Sequence, residues 1–88
     1  MNTPLSNADV NAINKIISDQ LDISPDQIIP EAHLVNDLGA DSLDIAEMSM
    51  TLEDAFDISI PDESSDRMLI VATLYETIAE FKYGLKSR

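Results

Sequence analysis

The chain has 88 residues, no cysteine, one histidine and a formal net charge of -12. A chain of this length buries one small core, which argues against a second domain and against an internal pocket with a full catalytic constellation. We therefore expect a single domain over residues 1–88. The lack of cysteine excludes disulfides and a thiol nucleophile, and it is compatible with a reducing compartment.

Negative charge is concentrated in the middle of the chain. Fourteen Asp and Glu residues, and no Lys or Arg, lie between Ile16 and Asp66. Such a field repels nucleic acid and anionic membranes and attracts basic protein surfaces. We expect basic protein partners, no nucleic acid and no membrane insertion, with a solubilising surface as the alternative. The first nine residues lack the features of a signal peptide, so a cytoplasmic protein is expected.

The first predicted helix follows Ser6 or Asn7, either of which can act as its N-cap. We expect this helix to end near Leu21. Its apolar residues are spaced by 3, 4 and 4 positions, which forms one helical face, and they are Val10, Ile13, Ile17 and Leu21.

A long loop is predicted from Asp22 to Ala40, because it contains Pro25 and Pro30 and shows no sustained periodicity. A loop of this length is uncommon in a compact domain and is more often functional than accidental. The histidine of the chain, His33, lies in a polar part of the loop, and we expect it to be solvated. The apolar residues expected to hold the loop against the core are Ile23, Ile28, Ile29, Leu34, Val35 and Leu38.

The second predicted helix runs from Ser42 to Phe56, with Asp41 as its N-cap and Asp44 in its first turn, where the helix dipole favours negative charge. At about 100° per residue, the core face comprises Ile45, Met48, Leu52 and Phe56. A second apolar set lies opposite, flanked by Glu47, Glu53 and Asp54, and it comprises Leu43, Ala46 and Met50. This set either packs under the long loop or forms an exposed ridge with an acidic rim, and its position beside Ser42 favours the ridge.

A connector and a last helix complete the predicted elements. Pro61 opens a polar stretch from Asp62 to Asp66 that forms either a turn or a short helix. The last helix begins at about Val71, with Glu76 and Glu80 facing solvent and Gly84 as its stop. Its apolar residues are spaced by 3, 4 and 3 positions, and they are Val71, Leu74, Ile78 and Phe81.

Ser42 is the residue of chemical interest, because a turn at Gly39 delivers it to the start of the second helix. A catalytic serine needs a base within hydrogen-bond reach, and the poor placement of His33 leads us to reject a hydrolase and to expect no catalytic residue. An EF-hand loop beginning at Asp37 would place Met48 at the closing glutamate, so no metal site is predicted. A phosphate-linked group on Ser42 would sit among free N–H groups at the helix N-terminus.

The residues Asp37-Leu38-Gly39-Ala40-Asp41-Ser42-Leu43-Asp44, together with Glu47 and the run from Leu52 to Asp62, closely resemble acyl carrier proteins. The first and last helices match that family in length, placement and apolar spacing. The resemblance implies an all-α fold, a small bundle of three to four helices with a long loop between helices one and two. It also implies a carrier protein that is not itself an enzyme.

In this family a phosphopantetheinyl transferase, using coenzyme A and magnesium, attaches 4′-phosphopantetheine to a serine. The resemblance implies that Ser42 is this serine and that acyl groups are carried as thioesters on the arm, which supplies the thiol that the chain lacks. It also implies partners with basic docking surfaces: the transferase, acyl-transferring enzymes, ketosynthases and other enzymes of fatty-acid, specialised lipid or polyketide biosynthesis. We expect the chain to be a monomer.

The resemblance assigns roles to individual residues of the second helix and the connector. The apolar contact with partners would be Leu43, Ala46 and Met50. The acidic contact would be Asp41, Asp44, Glu47, Glu53 and Asp54, which agrees with the surface found on the helical wheel. An acyl chain that folds back into the bundle would be lined by Met48, Met50, Leu52 and Ile60, with ordinary core packing as the alternative for each of them.

Two other functions and one structural question stay open. A carrier of aminoacyl or peptidyl groups shares the fold and the chemistry, although the acidic second helix and the Gly-Ala-Asp-Ser-Leu-Asp motif favour an acyl carrier. An unmodified acidic adaptor would use Ser42 only as a helix cap. Members of the family commonly have Thr or Ser before the last helix, whereas Leu69 and Ile70 precede Val71 here, so the start of that helix is open.

Overall fold

Three α-helices form the fold in the computed structural model, which describes residues 5–84 apart from the side chains of Asp62 and Ser65. They are α1 (Asn7–Leu21), α2 (Ser42–Phe56) and α3 (Val71–Tyr83), with short 3₁₀ segments at Pro25–Gln27 and Asp62–Met68. The part of the chain that the structure describes contains no strand, and His33 and Ile70 form an isolated antiparallel bridge. The predicted all-α bundle is confirmed, and the polar connector is a short helix.

Reciprocal hydrogen bonds determine where α1 and α2 begin. The Ser6 hydroxyl accepts from the Asp9 N–H at 3.1 Å, and the Asp9 carboxylate accepts from the Ser6 N–H at 3.2 Å. At α2, Asp41 Oδ1 accepts from the Asp44 N–H at 2.9 Å, and Asp44 Oδ2 accepts from the Asp41 N–H at 3.2 Å. Both are capping boxes, which satisfy donors left over at a helix start. The predicted N-caps Ser6 and Asp41 are confirmed.

Helix α3 begins at Val71 without a side-chain cap. The Thr73 hydroxyl contacts the carbonyl oxygen of Arg67 and lies 3.0 Å from that of Ile70, so it ties the first turn to the connector. The helix ends at Gly84, which has a φ of 73° in the left-handed region that glycine adopts without strain. The start at Val71 and the stop at Gly84 agree with the predictions.

One buried apolar cluster lies between the helices and under the long loop. Ile13, Ile17, Leu52 and Leu74 are fully buried in it, and Met48 is 1% exposed. The predicted core faces also include residues at the edge of the cluster, which are partly buried and pack against it: Val10, Leu21, Ile45 and Phe56. The apolar spacing of the helices therefore located the core.

Of the apolar residues predicted to hold the long loop against the core, Ile28 and Leu34 are buried, and Ile23 and Leu38 are partly buried. The prediction was wrong for Ile29 and Val35, which are 51% and 39% exposed. The Leu34 N–H donates to the Leu69 carbonyl at 2.7 Å and the Val71 N–H to the Ala32 carbonyl at 3.0 Å. Because these backbone bonds also secure the loop, fewer of its side chains need to be buried.

His33 is half-buried and organises a turn of the loop, so the expectation of a solvated histidine was wrong. Its Nδ1 accepts from the N–H groups of Val35 at 3.2 Å and Asn36 at 3.1 Å. Its own N–H donates to the Asp37 carboxylate at 2.8 Å. The imidazole satisfies backbone donors of the segment that leads to Ala40, a task that sequence context did not disclose.

Within residues 5–84, the ion pairs of Arg67 with Glu80 and of Lys82 with Asp9 connect α3 to the connector and to α1. Glu80 was expected to face solvent, but its carboxylate accepts two hydrogen bonds from the Arg67 guanidinium, at 3.1 and 2.8 Å. Lys82 Nζ lies 2.7 Å from Asp9 Oδ1, and the Tyr83 hydroxyl donates to Asp9 Oδ2 at 2.7 Å. These contacts join the start of α1 and the connector to α3.

Candidate functional site

Ser42 is the first residue of α2, and its side chain is exposed. The preceding Gly39 has a φ of 82°, where a side chain would be strained. Ala40 is 4% exposed, and its N–H donates to the Leu34 carbonyl at 2.8 Å. The loop is therefore anchored immediately before the helix, and the Ser42 hydroxyl is presented at a fixed place on the surface.

An open cavity of about 700 Å³ lies beside Ser42. One wall is formed by α2, which contributes Ser42, Ile45, Ala46, Ser49, Met50 and Glu53. The long loop and the segments around the connector contribute Val35, Asp41, Ile60, Pro61, Asp66 and Leu69. A cavity of this volume falls in the range of small-molecule sites.

The residues predicted to line an acyl chain divide into two groups. Met50 and Ile60 line the cavity beside Ser42. Met48 is 1% exposed and Leu52 is fully buried, and both lie in the core cluster. Sequence reasoning missed Ile45 and Ser49, which line the cavity and lie three and seven positions after Ser42 on the same side of α2. That helical spacing was the signal available for finding them.

The second apolar set of α2 is an exposed ridge. Leu43 is 64% exposed, Met50 is 59% exposed, and Ala46 between them is also exposed. Large apolar side chains in one exposed row are candidates for protein contacts. The alternative that these residues pack under the long loop does not hold.

The five predicted acidic contacts differ in what their carboxylates do. Asp41 caps α2, and Glu53 is half-buried and accepts from the Ile60 N–H at 2.7 Å. Both therefore have a structural task. Asp54 is exposed. The carboxylate of Glu47, also exposed, points to α1, as described next.

Gln20 of α1 joins two of these acids. Its side-chain nitrogen Nε2 donates to Asp44 Oδ1 at 3.1 Å and to Glu47 Oε1 at 2.8 Å. The hydrogen bond from Gln20, followed by that from the Asp41 N–H, lowers the pKa of Asp44 below its usual value. Hydrogen bonds to a carboxylate favour its charged form, so Asp44 is held ionised. The sequence alone gave no indication of Gln20.

The cations of residues 5–84 pair with carboxylates outside α2. Lys15 pairs with Asp19 at 3.1 Å, and the pairs of Arg67 and Lys82 are those that secure α3. Over this part of the chain, no ion pair involves a carboxylate of α2. Among the residues that the structure describes, the negative rim of the ridge is therefore not compensated by an ion pair.

His33 Nδ1 is engaged by two backbone N–H groups at 3.1 and 3.2 Å. Among the described side chains, no group of three or more His, Asp or Glu residues is arranged to hold a metal ion. No helix within residues 5–84 is both long enough and apolar enough to span a membrane.

Sequence comparison finds relatives that cover most of the chain. Residues 11–79 match the family described as "Phosphopantetheine attachment site". The chain is 46% identical to an acyl carrier protein of Syntrophobacter fumaroxidans over 76% of this chain and 83% of that protein. It is 43% identical to an acyl carrier protein of Helicobacter pylori over 80% of this chain and 90% of that protein.

A solved structure of an acyl carrier protein from Enterococcus faecalis has a similar fold. The TM-score is 0.71 at 32% sequence identity, and the match covers 82% of this chain and 91% of that one. The fold, the family match over residues 11–79 and the identity to curated relatives agree. The chain belongs to the acyl carrier proteins, the family of helical carriers with covalently attached phosphopantetheine.

Proposed function

We propose that Ser42 carries the 4′-phosphopantetheine arm and that the protein presents acyl thioesters on this arm to biosynthetic enzymes. The observation that carries the proposal is the position of Ser42. It is exposed at the first residue of α2, lies within residues 11–79 that match the attachment-site family, and borders the 700 Å³ cavity. No other serine in α2 is both exposed and at the helix start.

Attachment forms one phosphodiester. The Ser42 hydroxyl oxygen bonds to the phosphorus next to the pantetheine of coenzyme A, adenosine 3′,5′-bisphosphate leaves, and the hydroxyl proton is taken up by the transferase or by solvent. The new anion sits at the N-terminus of α2, where the helix dipole favours negative charge. His33 is not proposed as the base, because its Nδ1 already accepts two backbone hydrogen bonds.

The surface around Ser42 is suited to docking on basic enzymes. We assign the apolar contact to Leu43, Ala46 and Met50, which are exposed on α2. The acidic contact comprises Asp41, Asp44, Glu47, Glu53 and Asp54, of which Glu47 and Asp54 are the exposed members without a capping or loop-anchoring task. Complementary charge steers encounter and sets register, while the apolar contact contributes affinity.

The cavity is the proposed place for an acyl chain that folds back. Met50 and Ile60 line it, and Ile45 and Leu69 add to its apolar walls. Met48 and Leu52 lie in the core, so they would contact a guest only if the bundle opened further. The flexible side chain of Met48 is suited to such adjustment.

The pathway is part of the proposal. Fatty-acid, specialised lipid and polyketide biosynthesis all use such a carrier, and the partners would be a phosphopantetheinyl transferase, acyl-transferring enzymes and ketosynthases. In this account the chain catalyses no step itself. Its cytoplasmic location, its monomeric state and its organisation as one domain over residues 1–88 stay predictions.

Intact mass tests the attachment directly. The chain is incubated with coenzyme A, magnesium and a broad-specificity phosphopantetheinyl transferase, and the wild type is expected to gain one phosphopantetheinyl mass. Ser42→Ala should gain none. Ser49→Ala is the matched control, because Ser49 lines the same cavity on the same helix, and it should be modified like the wild type. Modification of Ser42→Ala, or no mass gain on the wild type, would overturn the proposal.

Loading assays separate acyl from aminoacyl cargo. The modified chain is offered to an acyl ligase and to an aminoacyl ligase, and the acyl group alone is expected to be transferred. Preferential aminoacyl transfer would favour the peptidyl-carrier alternative, which shares the arm but not the partners.

A further inference from the structure

Gln20 holds two like charges together with one nitrogen atom. Its Nε2 donates to Asp44 at 3.1 Å and to Glu47 at 2.8 Å, and these two acids are one turn apart on α2. Negatively charged side chains at this spacing repel each other. The bridge comes from α1, 24 and 27 residues away in the chain.

The side-chain amide of Gln20 is neutral, so its hydrogen bonds to Asp44 and Glu47 do not change the net charge of the site. A lysine or arginine at position 20 would also donate to both carboxylates and would cancel part of their charge. Gln20 orients the carboxylates and leaves both negative charges in place. The nearby cation of α1, Lys15, pairs with Asp19 at 3.1 Å. The arrangement therefore fixes the geometry of Asp44 and Glu47 without compensating their charge.

We propose that Gln20 is a positioning residue of the docking surface, which holds Asp44 and Glu47 as a joint acceptor for one guanidinium or ammonium group of a basic partner enzyme. The inference rests on the proposed function. Asp44 is already anchored by the Asp41 N–H at 3.2 Å, so Glu47, which is exposed, is the side chain that Gln20 orders most. Ordering a side chain before association reduces the entropy lost on binding.

Three variants separate positioning from net charge. Gln20→Ala removes the donor without changing the charge. Gln20→Glu keeps the shape, removes the donor and adds one negative charge. Asn11→Asp is the matched control, because Asn11 is exposed on the same helix and the substitution adds the same charge nine residues away from Gln20.

The readout is the transfer of phosphopantetheine from coenzyme A by a broad-specificity transferase, with KM and kcat measured for each carrier variant. Gln20→Ala is expected to raise KM about three- to ten-fold, the factor expected for one side chain that must be ordered on binding, with kcat unchanged. Gln20→Glu should raise KM despite its added negative charge. Asn11→Asp should leave KM unchanged or lower it, because added negative charge attracts a basic enzyme.

Salt distinguishes a docking role from a purely structural one. In about 0.5 M NaCl, where exposed charges are strongly screened, the KM of wild type and Gln20→Ala should converge. A purely structural role would lower the urea midpoint of Gln20→Ala and leave the ratio of its KM to that of the wild type the same at low and high salt. An unchanged KM for Gln20→Ala, or a lower KM for Gln20→Glu, would overturn the inference while the proposed function stands. A wild-type chain that gains no phosphopantetheinyl mass would overturn both.

Discussion

The carboxylates that join α3 to α1 and to the connector differ from those on α2 in the type of donor that they accept hydrogen bonds from. Asp9 and Glu80 are little exposed, with 10% and 16% of their side chains accessible, and each meets a cation: Lys82 at 2.7 Å and Arg67 at 2.8 Å. Asp44 and Glu47 meet the neutral amide of Gln20. Within residues 5–84, carboxylates that join α3 to its neighbours are therefore neutralised by cations, whereas those on the proposed docking face of α2 are not.

This difference shows how a chain with few cations can be folded and remain strongly acidic. All three Lys and Arg residues of the described range, Lys15, Arg67 and Lys82, pair with carboxylates outside α2. Asp44, Glu47 and Glu53 of α2 instead accept hydrogen bonds from backbone N–H groups or from Gln20, neither of which reduces their charge. Hydrogen bonds therefore order the acids of the proposed docking surface, whereas ion pairs hold α3 to α1 and the connector.

The largest effect on stability is expected from the core face of α2. Leu52 is fully buried, so Leu52→Ala should lower the free energy of unfolding by about 2–5 kcal/mol through lost burial and a cavity. Leu43→Ala is the matched control, because Leu43 is 64% exposed on the same helix, and it should change stability by less than about 0.5 kcal/mol. Urea unfolding measures both. Similar losses for the two variants would contradict the division of α2 into core and docking faces.

The next largest effect on stability is expected from Asp9, which pairs with Lys82 between α1 and α3. The hydrogen bond from Lys82, and then that from Tyr83, lowers the pKa of Asp9 to about 2. A depressed pKa stabilises the fold above the unfolded value of about 3.9, and this contribution is lost as the pH falls through that value toward 2. Wild type should therefore have a higher urea midpoint than Asp9→Asn at pH 6, and the gap should narrow between pH 4 and pH 2.

Asp19→Asn is the control for this experiment. Asp19 pairs with Lys15, and their side chains are 66% and 76% exposed, respectively, so this ion pair contributes little to the free energy of unfolding. Its urea midpoint should match that of the wild type at pH 6. A gap between wild type and Asp9→Asn that stays constant from pH 6 to pH 2 would show that the Asp9 contacts do not depend on its charge.

The smallest effect on stability, and a large one on binding, is expected at Glu47. Glu47→Lys should change the free energy of unfolding by less than about 0.5 kcal/mol, because the side chain is exposed. It should weaken binding to basic partner enzymes by repulsion. Glu76→Lys, an exposed substitution on α3 with the same change in net charge, should weaken binding far less. Binding to a partner enzyme is measured by calorimetry. Equal losses of affinity for Glu47→Lys and Glu76→Lys would mean that binding depends on net charge alone.

Local features of the structure could be predicted from the sequence. The starts of α1 and α2 follow from Ser6 and Asp41, whose capping hydrogen bonds reach only three residues along the chain. The core faces follow from helical spacing. The exposed ridge at Leu43 and Met50 follows from the same spacing, because two opposite apolar faces cannot both be buried in a core this small.

Contacts between distant segments could not be predicted. Gln20 meets Glu47 across 27 residues, and Asp9 meets Lys82 across 73 residues, so no local pattern relates the partners. The same reason explains the wrong prediction for Glu80. Its position on α3 indicated a solvent-facing side chain, but it accepts hydrogen bonds from Arg67 of the connector. His33 lies among polar neighbours, yet its ring accepts hydrogen bonds from the backbone of its own turn.

The most direct test of the central claim is to recover the protein from its native source and identify what is bound to it. Peptide mapping by mass spectrometry is expected to locate phosphopantetheine on Ser42, with an acyl group released from its thiol by hydroxylamine. An unmodified Ser42 in the native protein, or an aminoacyl group on the arm, would contradict the account.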